Sequence, residues 1–99
     1  MDINELSPLE VFSYFQEICA IPHGSGNTGM IADYCLEFAK LHGLKARKDT
    51  SDNVVIFKAG SSGYEDREPV ILQGHLDMVC EKQPDSDIDM SVQSIKACT

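Results

Sequence analysis

Positive charge is scarce in this chain of 99 residues, where 8 Lys+Arg stand against 16 Asp+Glu for a formal net charge of -8. That balance argues against a nucleic-acid or anionic-membrane surface, and fits a basic partner or simple solubility better. Cysteine pairs are missing too. Cys19, Cys35, Cys80 and Cys98 are widely spaced with no Cys-Xaa-Xaa-Cys, so neither a zinc knuckle nor a thioredoxin-like redox motif is indicated and free thiols are expected. The N-terminus lacks a basic region followed by an apolar core, and no stretch approaches the length of a membrane span. A reducing cytosol follows as the expected compartment. There is no internal repeat, and the length sets a ceiling of one small domain with little room for a complete active site.

What is present is concentrated in Val70-Ile71-Leu72-Gln73-Gly74-His75-Leu76-Asp77-Met78-Val79. Four residues of strand tendency predict an interior strand, Gly74 lets the backbone approach closely, and His75 leaves the sheet at its carboxyl end, where open α/β sheets place ligands. Two residues on, Asp77 can reach the imidazole nitrogen that a metal leaves unused, fixing the tautomer and raising the ligand's basicity. The alternative is an ordinary strand-end histidine beside a turn aspartate, since His-Xaa-Asp recurs often by chance.

Ahead of this motif, Ser7, Pro8 and Glu10 have the form of a capping box opening a helix that runs to about Ala20. Val11, Phe12, Phe15, Ile18 and Cys19 mark its apolar face, expected to be core, and Pro22 stops it. A second helix is expected from about Thr28 to just before Gly43, with Ile31, Tyr34, Cys35, Phe38 and Leu41 on one face and His42 as a surface residue at its end. Residues 44–48 and 54–58 then read as paired strands punctuated by Asp52-Asn53, and residues 59–68 as a loop. From Pro84 onward, Asp85, Asp87 and Asp89 with little apolar periodicity predict a solvated loop.

Three other features compete for a functional reading. Gly24-Ser25-Gly26-Asn27-Thr28-Gly29 matches the Gly-Xaa-Gly-Xaa-Xaa-Gly pattern of dinucleotide-binding loops, with Asp49 downstream. That mechanism needs a strand feeding the loop, however, and the preceding segment has helical periodicity. His23 can contact substrate or support a turn, and the turn is favoured. Cys80 as a nucleophile would need a depressed pKa and a base in reach, whereas a histidine committed to a metal is no base, so Cys80 reads as a packing residue.

Ile21-Pro22-His23-Gly24-Ser25-Gly26-Asn27, the stretch through Tyr34 and Phe38-Ala39-Lys40, Asp52-Asn53-Val54, and residues 70 through 82 together resemble the opening of the cytosolic non-specific dipeptidases, also called aminoacyl-histidine or Xaa-His dipeptidases. The similarity runs from about Leu6 to about Met90. It implies an α/β fold: the N-terminal portion of a zinc-exopeptidase-like catalytic domain, two helices then strands of a mixed sheet, incomplete here, with residues 1–90 in that domain and 91–99 as a divergent tail. It further implies metal-dependent hydrolysis of dipeptides with two divalent ions, zinc above all. Metal-bound water attacks the peptide carbonyl and a glutamate carries the proton. By resemblance His75 is the metal ligand and Asp77 its orienting catalytic partner, a dipeptide is the substrate, and dimerisation of a full-length enzyme stays open.

Such a family also needs a bridging aspartate, a catalytic glutamate with an adjacent metal-binding carboxylate, a further carboxylate ligand and a distant second histidine. None can be placed here. The change of character after Met90 reads as a truncated or frame-disrupted product, and one histidine cannot hold a catalytic zinc, which takes about three protein ligands plus water. The chain itself is therefore expected to be inactive and marginally folded, with a non-catalytic remnant or interaction module as the alternative to a dipeptidase portion.

Overall fold

The computed structural model describes residues 2–97 and divides into two compact units, one of residues up to Ile31 together with those from Asp77 on, the other of Ala32–Leu76. The first unit opens with a 3-10 turn, Ile3–Glu5, whose N-cap Asp2 accepts a hydrogen bond from the Asn4 amide. Helix α1 follows as Leu9–Cys19. Its N-cap is Pro8, which offers no side-chain hydrogen bond, so the capping box expected from Ser7 does not form. The helix starts one residue later than that box requires, and Ser7 lies outside capping position.

The apolar face of α1 is present, but it is not the expected core. Val11 and Phe15 are exposed, Phe12, Ile18 and Cys19 are half-buried, and no residue of α1 is buried. A chain this short has too little material to cover every amphipathic stripe. At the other end of α1, the Ile95 amide donates to Cys19 O at 2.9 Å, satisfying one of the carbonyls a helix leaves unpaired at its C-terminus. Residues 84–97 are turns and irregular backbone.

Helix α2 is Gly29–Leu41. Its end follows the expectation: Gly43 has φ +68, its amide donates to Lys40 O, and the Leu44 amide donates to Ala39 O at 2.8 Å. These are the paired bonds of a Schellman cap, which glycine reaches without Cβ strain. Of the anticipated inner face, Ile31 is buried while Leu41 is exposed, and Ala32 and Ala39 are buried instead. Small residues let neighbouring chain come close where a larger side chain would not fit. Exposed His42 stacks on Phe38 at 4.3 Å between ring centroids.

In the second unit, strands β1 (Lys45–Lys48) and β2 (Val54–Phe57) pair antiparallel, Lys45 opposite Phe57 and Lys48 opposite Val54. Asp49 builds the turn. Its carboxylate accepts from the Ser51 and Asn53 amides and from Asn53 Nδ2, each at 2.9 Å, while Asp52 occupies the left-handed region at φ 65. These bonds hold the Asp49 carboxyl below the usual aspartate range, the Asn53 side chain being the largest cause. The interior strand expected at residues 70–73 is absent: the segment belongs to no ladder and its apolar side chains are exposed. Strand tendency alone makes no strand without a neighbouring chain to accept its hydrogen bonds.

Candidate functional site

The glycine-rich loop after α1 docks on the segment that begins at Asp77, within the first unit. Met78 N donates to His23 O at 2.9 Å, Ser25 N donates to Met78 O at 3.1 Å, and Gly24 and Met78 form a parallel bridge. A Cβ at Gly24 would meet Cys80 Sγ, the end of an exposed side chain, while the main chain of Met78 stays at ordinary contact distance. Across the bridge, Ser25 Oγ donates to Asp77 Oδ2 at 2.6 Å, a length typical of a hydroxyl on an ionised carboxylate.

Asp77 is half-buried and anchored by Ser25, whereas His75 is exposed. Ser25 is the residue the motif reading missed as a partner. It lies 52 positions from Asp77, and its only signal was membership of the same Ile-Pro-His-Gly-Ser-Gly-Asn run. His23 is buried, 7% exposed, with Nδ1 at 2.6 Å from Ile21 O. Its main-chain carbonyl accepts from Met78 N, so His23 takes part in the docked loop.

The loop does not have the form of a dinucleotide cradle. It follows helix α1 rather than a strand, and two of its amides are already engaged, Ser25 N with Met78 O and Asn27 N with Gly24 O at 2.8 Å. A pyrophosphate needs such amides free. Cys80 is exposed and free, as Cys19 and Cys35 are free. Cys98 lies outside the described residues. Burial pushes the Cys19 and Cys35 thiols up from their ordinary value, away from nucleophilic character.

Beside the docked loop lies an open crevice of about 540 Å³, its walls including Ser25, Asn27, Cys80, Lys82, Asp89 and Ser91. Asn27 Nδ2 donates to Ser91 O at 3.1 Å, and Lys82 Nζ to Ile88 O at 3.0 Å. Among the described residues no group of three or more His, Cys, Asp or Glu is placed to hold a metal ion. The donor chemistry of His75 suits one ligand position; it does not amount to a metal centre.

No family model matches the chain. It is 37% identical, over 95 residues, to the cytosol non-specific dipeptidase of Escherichia coli (strain K12), a span of 96% of this chain and 20% of that protein. The crystal structure of aminoacylhistidine dipeptidase from Vibrio alginolyticus matches it with a TM-score of 0.90 at 36% identity, over 97% of this chain and 20% of that one. Both relatives are dipeptidases by name, and the chain is similar to a stretch of each in sequence and in fold. It resembles the N-terminal portion of the cytosol non-specific, or aminoacylhistidine, dipeptidase fold. The chain spans about one fifth of the length of these relatives. The matched 95 residues reach past Met90, into the stretch expected to diverge. Among the described residues no helix is long and apolar enough to cross a membrane.

Proposed function

We propose that this chain supplies part of the active site of a metal-dependent dipeptidase acting in the cytosol on Xaa-His and other dipeptides, and that the 99 residues by themselves do not hydrolyse them. The observation that supports the reading is the docked loop, in which two motifs of the family, residues 21–27 and 70–82, meet through the Gly24–Met78 bridge and the Ser25–Asp77 hydrogen bond. In the assembled enzyme His75 is one ligand of a divalent metal, zinc by the chemistry of its donors, and Asp77 orients it. Ser25 holds the Asp77 carboxylate in place, and the remaining ligands come from outside these residues. Bound zinc polarises a carbonyl and acidifies water.

The decisive experiment is a chimera in which these 99 residues replace the matching fifth of the Escherichia coli enzyme. Chelator-sensitive hydrolysis of unblocked dipeptides is expected from the chimera and none from the isolated chain supplied with zinc. In the chimera His75→Ala should remove metal and activity together, and Asp77→Ala should cost roughly 10- to 100-fold. Full metal content and activity in the His75→Ala chimera would sink the ligand assignment, and turnover by the isolated chain would sink the claim of incompleteness.

A further inference from the structure

Gly24-Ser25-Gly26-Asn27 closes as a turn through Asn27 N, which donates to Gly24 O at 2.8 Å, with Gly26 at φ +80, a third position that glycine fills without strain. The turn presents Ser25, whose hydroxyl donates to Asp77 Oδ2 at 2.6 Å. Residues 88–95 hold the turn from its other side. Within them Asp89 O accepts from Gln93 N at 2.8 Å, Asp89 Oδ1 accepts from Ser91 Oγ at 2.6 Å and from Ser91 N at 3.1 Å, and the Gln93 side chain accepts from Asp89 N. This self-closed strap is tied down at both ends: Lys82 Nζ donates to Ile88 O at 3.0 Å, and Ile95 N to Cys19 O at 2.9 Å. Between those ties the Ser91 carbonyl accepts from Asn27 Nδ2 at 3.1 Å. Asn27 thereby serves the turn with its main chain and the strap with its side chain. Asparagine in turns usually bonds its own neighbours, but this side chain reaches a residue 64 positions away.

We propose that Asn27 is a positioning residue, which latches the turn of residues 24–27 to the strap of residues 88–95 and, through Ser25, holds the Asp77 carboxylate of the dipeptidase site. Without the latch the turn keeps its own closure but loses its anchor, and the Ser25 hydroxyl drifts from the short, directed geometry that its bond to Asp77 requires. Groups that orient a metal ligand act through just such geometry, and Asn27 acts one step further out. The inference rests on the dipeptidase reading for what Asp77 does, but the latch itself is read without hydrolysis.

Amide exchange in the 99-residue chain reads the latch. Asn27→Ala should speed exchange of the Ser25 and Met78 amides, which donate across the docked loop, by about fivefold, as for the loss of one hydrogen bond. Asn27→Gln, which keeps a donor, should restore most of that protection, and the hairpin amides should not change in either variant. In the chimera with the Escherichia coli enzyme, Asn27→Ala should lower kcat about three- to tenfold with KM within about twofold of the parent. Ser25→Ala should lower kcat too, and adding Asn27→Ala to it should cost nothing further, because the latch then has no hydroxyl to position. Unchanged exchange in Asn27→Ala, or unprotected Ser25 and Met78 amides in the wild-type chain, would overturn the latch. Losses of kcat that multiply in the double variant would overturn its action through Ser25. A parent chimera without hydrolysis counts against the catalytic reading alone, and the same double-variant comparison, read by exchange of the Met78 amide in the 99-residue chain, then decides the inference.

Discussion

Val54-Val55-Ile56-Phe57 and Val70-Ile71-Leu72-Gln73 both open with residues of high strand tendency, yet the first is strand β2 and the second pairs with nothing among the described residues. The difference is distance to a partner. A turn of five residues brings β1 alongside β2, and Asp49 locks that turn with three hydrogen bonds, so the closure entropy is small and repaid locally. Residues 70–73 have no such neighbour. Strand tendency is a readiness to fit a pleated surface, and the surface has to be there.

Breaking the ladder of β2 should give the largest effect. Asp49 N donates to Asn53 O, so by antiparallel alternation Arg47 and Val55 form the next hydrogen-bonded pair. Val55→Pro removes that donor and should cost on the order of 3 kcal/mol of local stability. Hydrogen exchange would show the protection of residues 45–57 lost while helix amides stay protected. Retained protection would mean that the hairpin does not depend on its ladder.

The bridge between Gly24 and Met78 tests whether an isolated long-range contact is held as firmly as a hairpin. Gly24→Ala places a Cβ against Cys80 Sγ, an exposed thiol free to rotate away, and should destabilise the docked loop by no more than about 1 kcal/mol. Cys80→Ala in the same chain should recover most of that loss. A double variant no better than Gly24→Ala would show that the main chain, rather than the thiol, sets the close approach.

The features legible in the sequence are those whose determinants are neighbours in the chain. The Schellman end of α2 at Gly43, the pairing of residues 44–48 with 54–58, and the loop-between-helices placement of residues 24–29 all follow from short-range chemistry. The misreadings concern burial and remote partners. Phe15 and Val11 have the right spacing for a core face, but nothing in so short a chain covers them. At the site, His75 and Asp77 stood out because they are two residues apart. Ser25 did not, because its partner is 52 positions away. Ser7 misled because a capping box specifies its helix start only to within a residue.

A gentler perturbation of the hairpin is acid. The Asp49 carboxyl is held below the ordinary aspartate value by Asn53 and then Ser51, so its contribution is complete above the unfolded pKa of about 3.9. It is lost as pH falls through the lower folded value. Protection of the hairpin amides should therefore decline below about pH 4, and Asp49→Ala should lower protection at neutral pH and flatten the dependence. Asp89 is depressed in the same direction by Ser91, but it lies in the other unit, so exchange read at residues 45–57 separates the two. A pH dependence at these residues unchanged in Asp49→Ala would assign the transition to other carboxylates.

The smallest effect is expected where the side chains are most apolar. Leu72 is 93% exposed and engages no backbone partner, so in the isolated chain it contributes almost no burial for a substitution to remove. Leu72→Lys should leave the urea midpoint unchanged, within about 0.5 kcal/mol of wild type, as a surface substitution does. Val55→Pro, in the paired strand β2, should be several times more damaging. The sharpest form of the comparison measures Leu72→Lys twice, first in the chain alone and then in the chimera with the Escherichia coli enzyme. Neutrality in the chain alone together with lost stability in the chimera would mean that the run is covered there by residues outside these 99. A loss of 2 kcal/mol or so in the isolated chain, the size expected for a buried leucine, would show instead that residues 70–73 find cover within these 99 residues, and the contrast with β2 would dissolve.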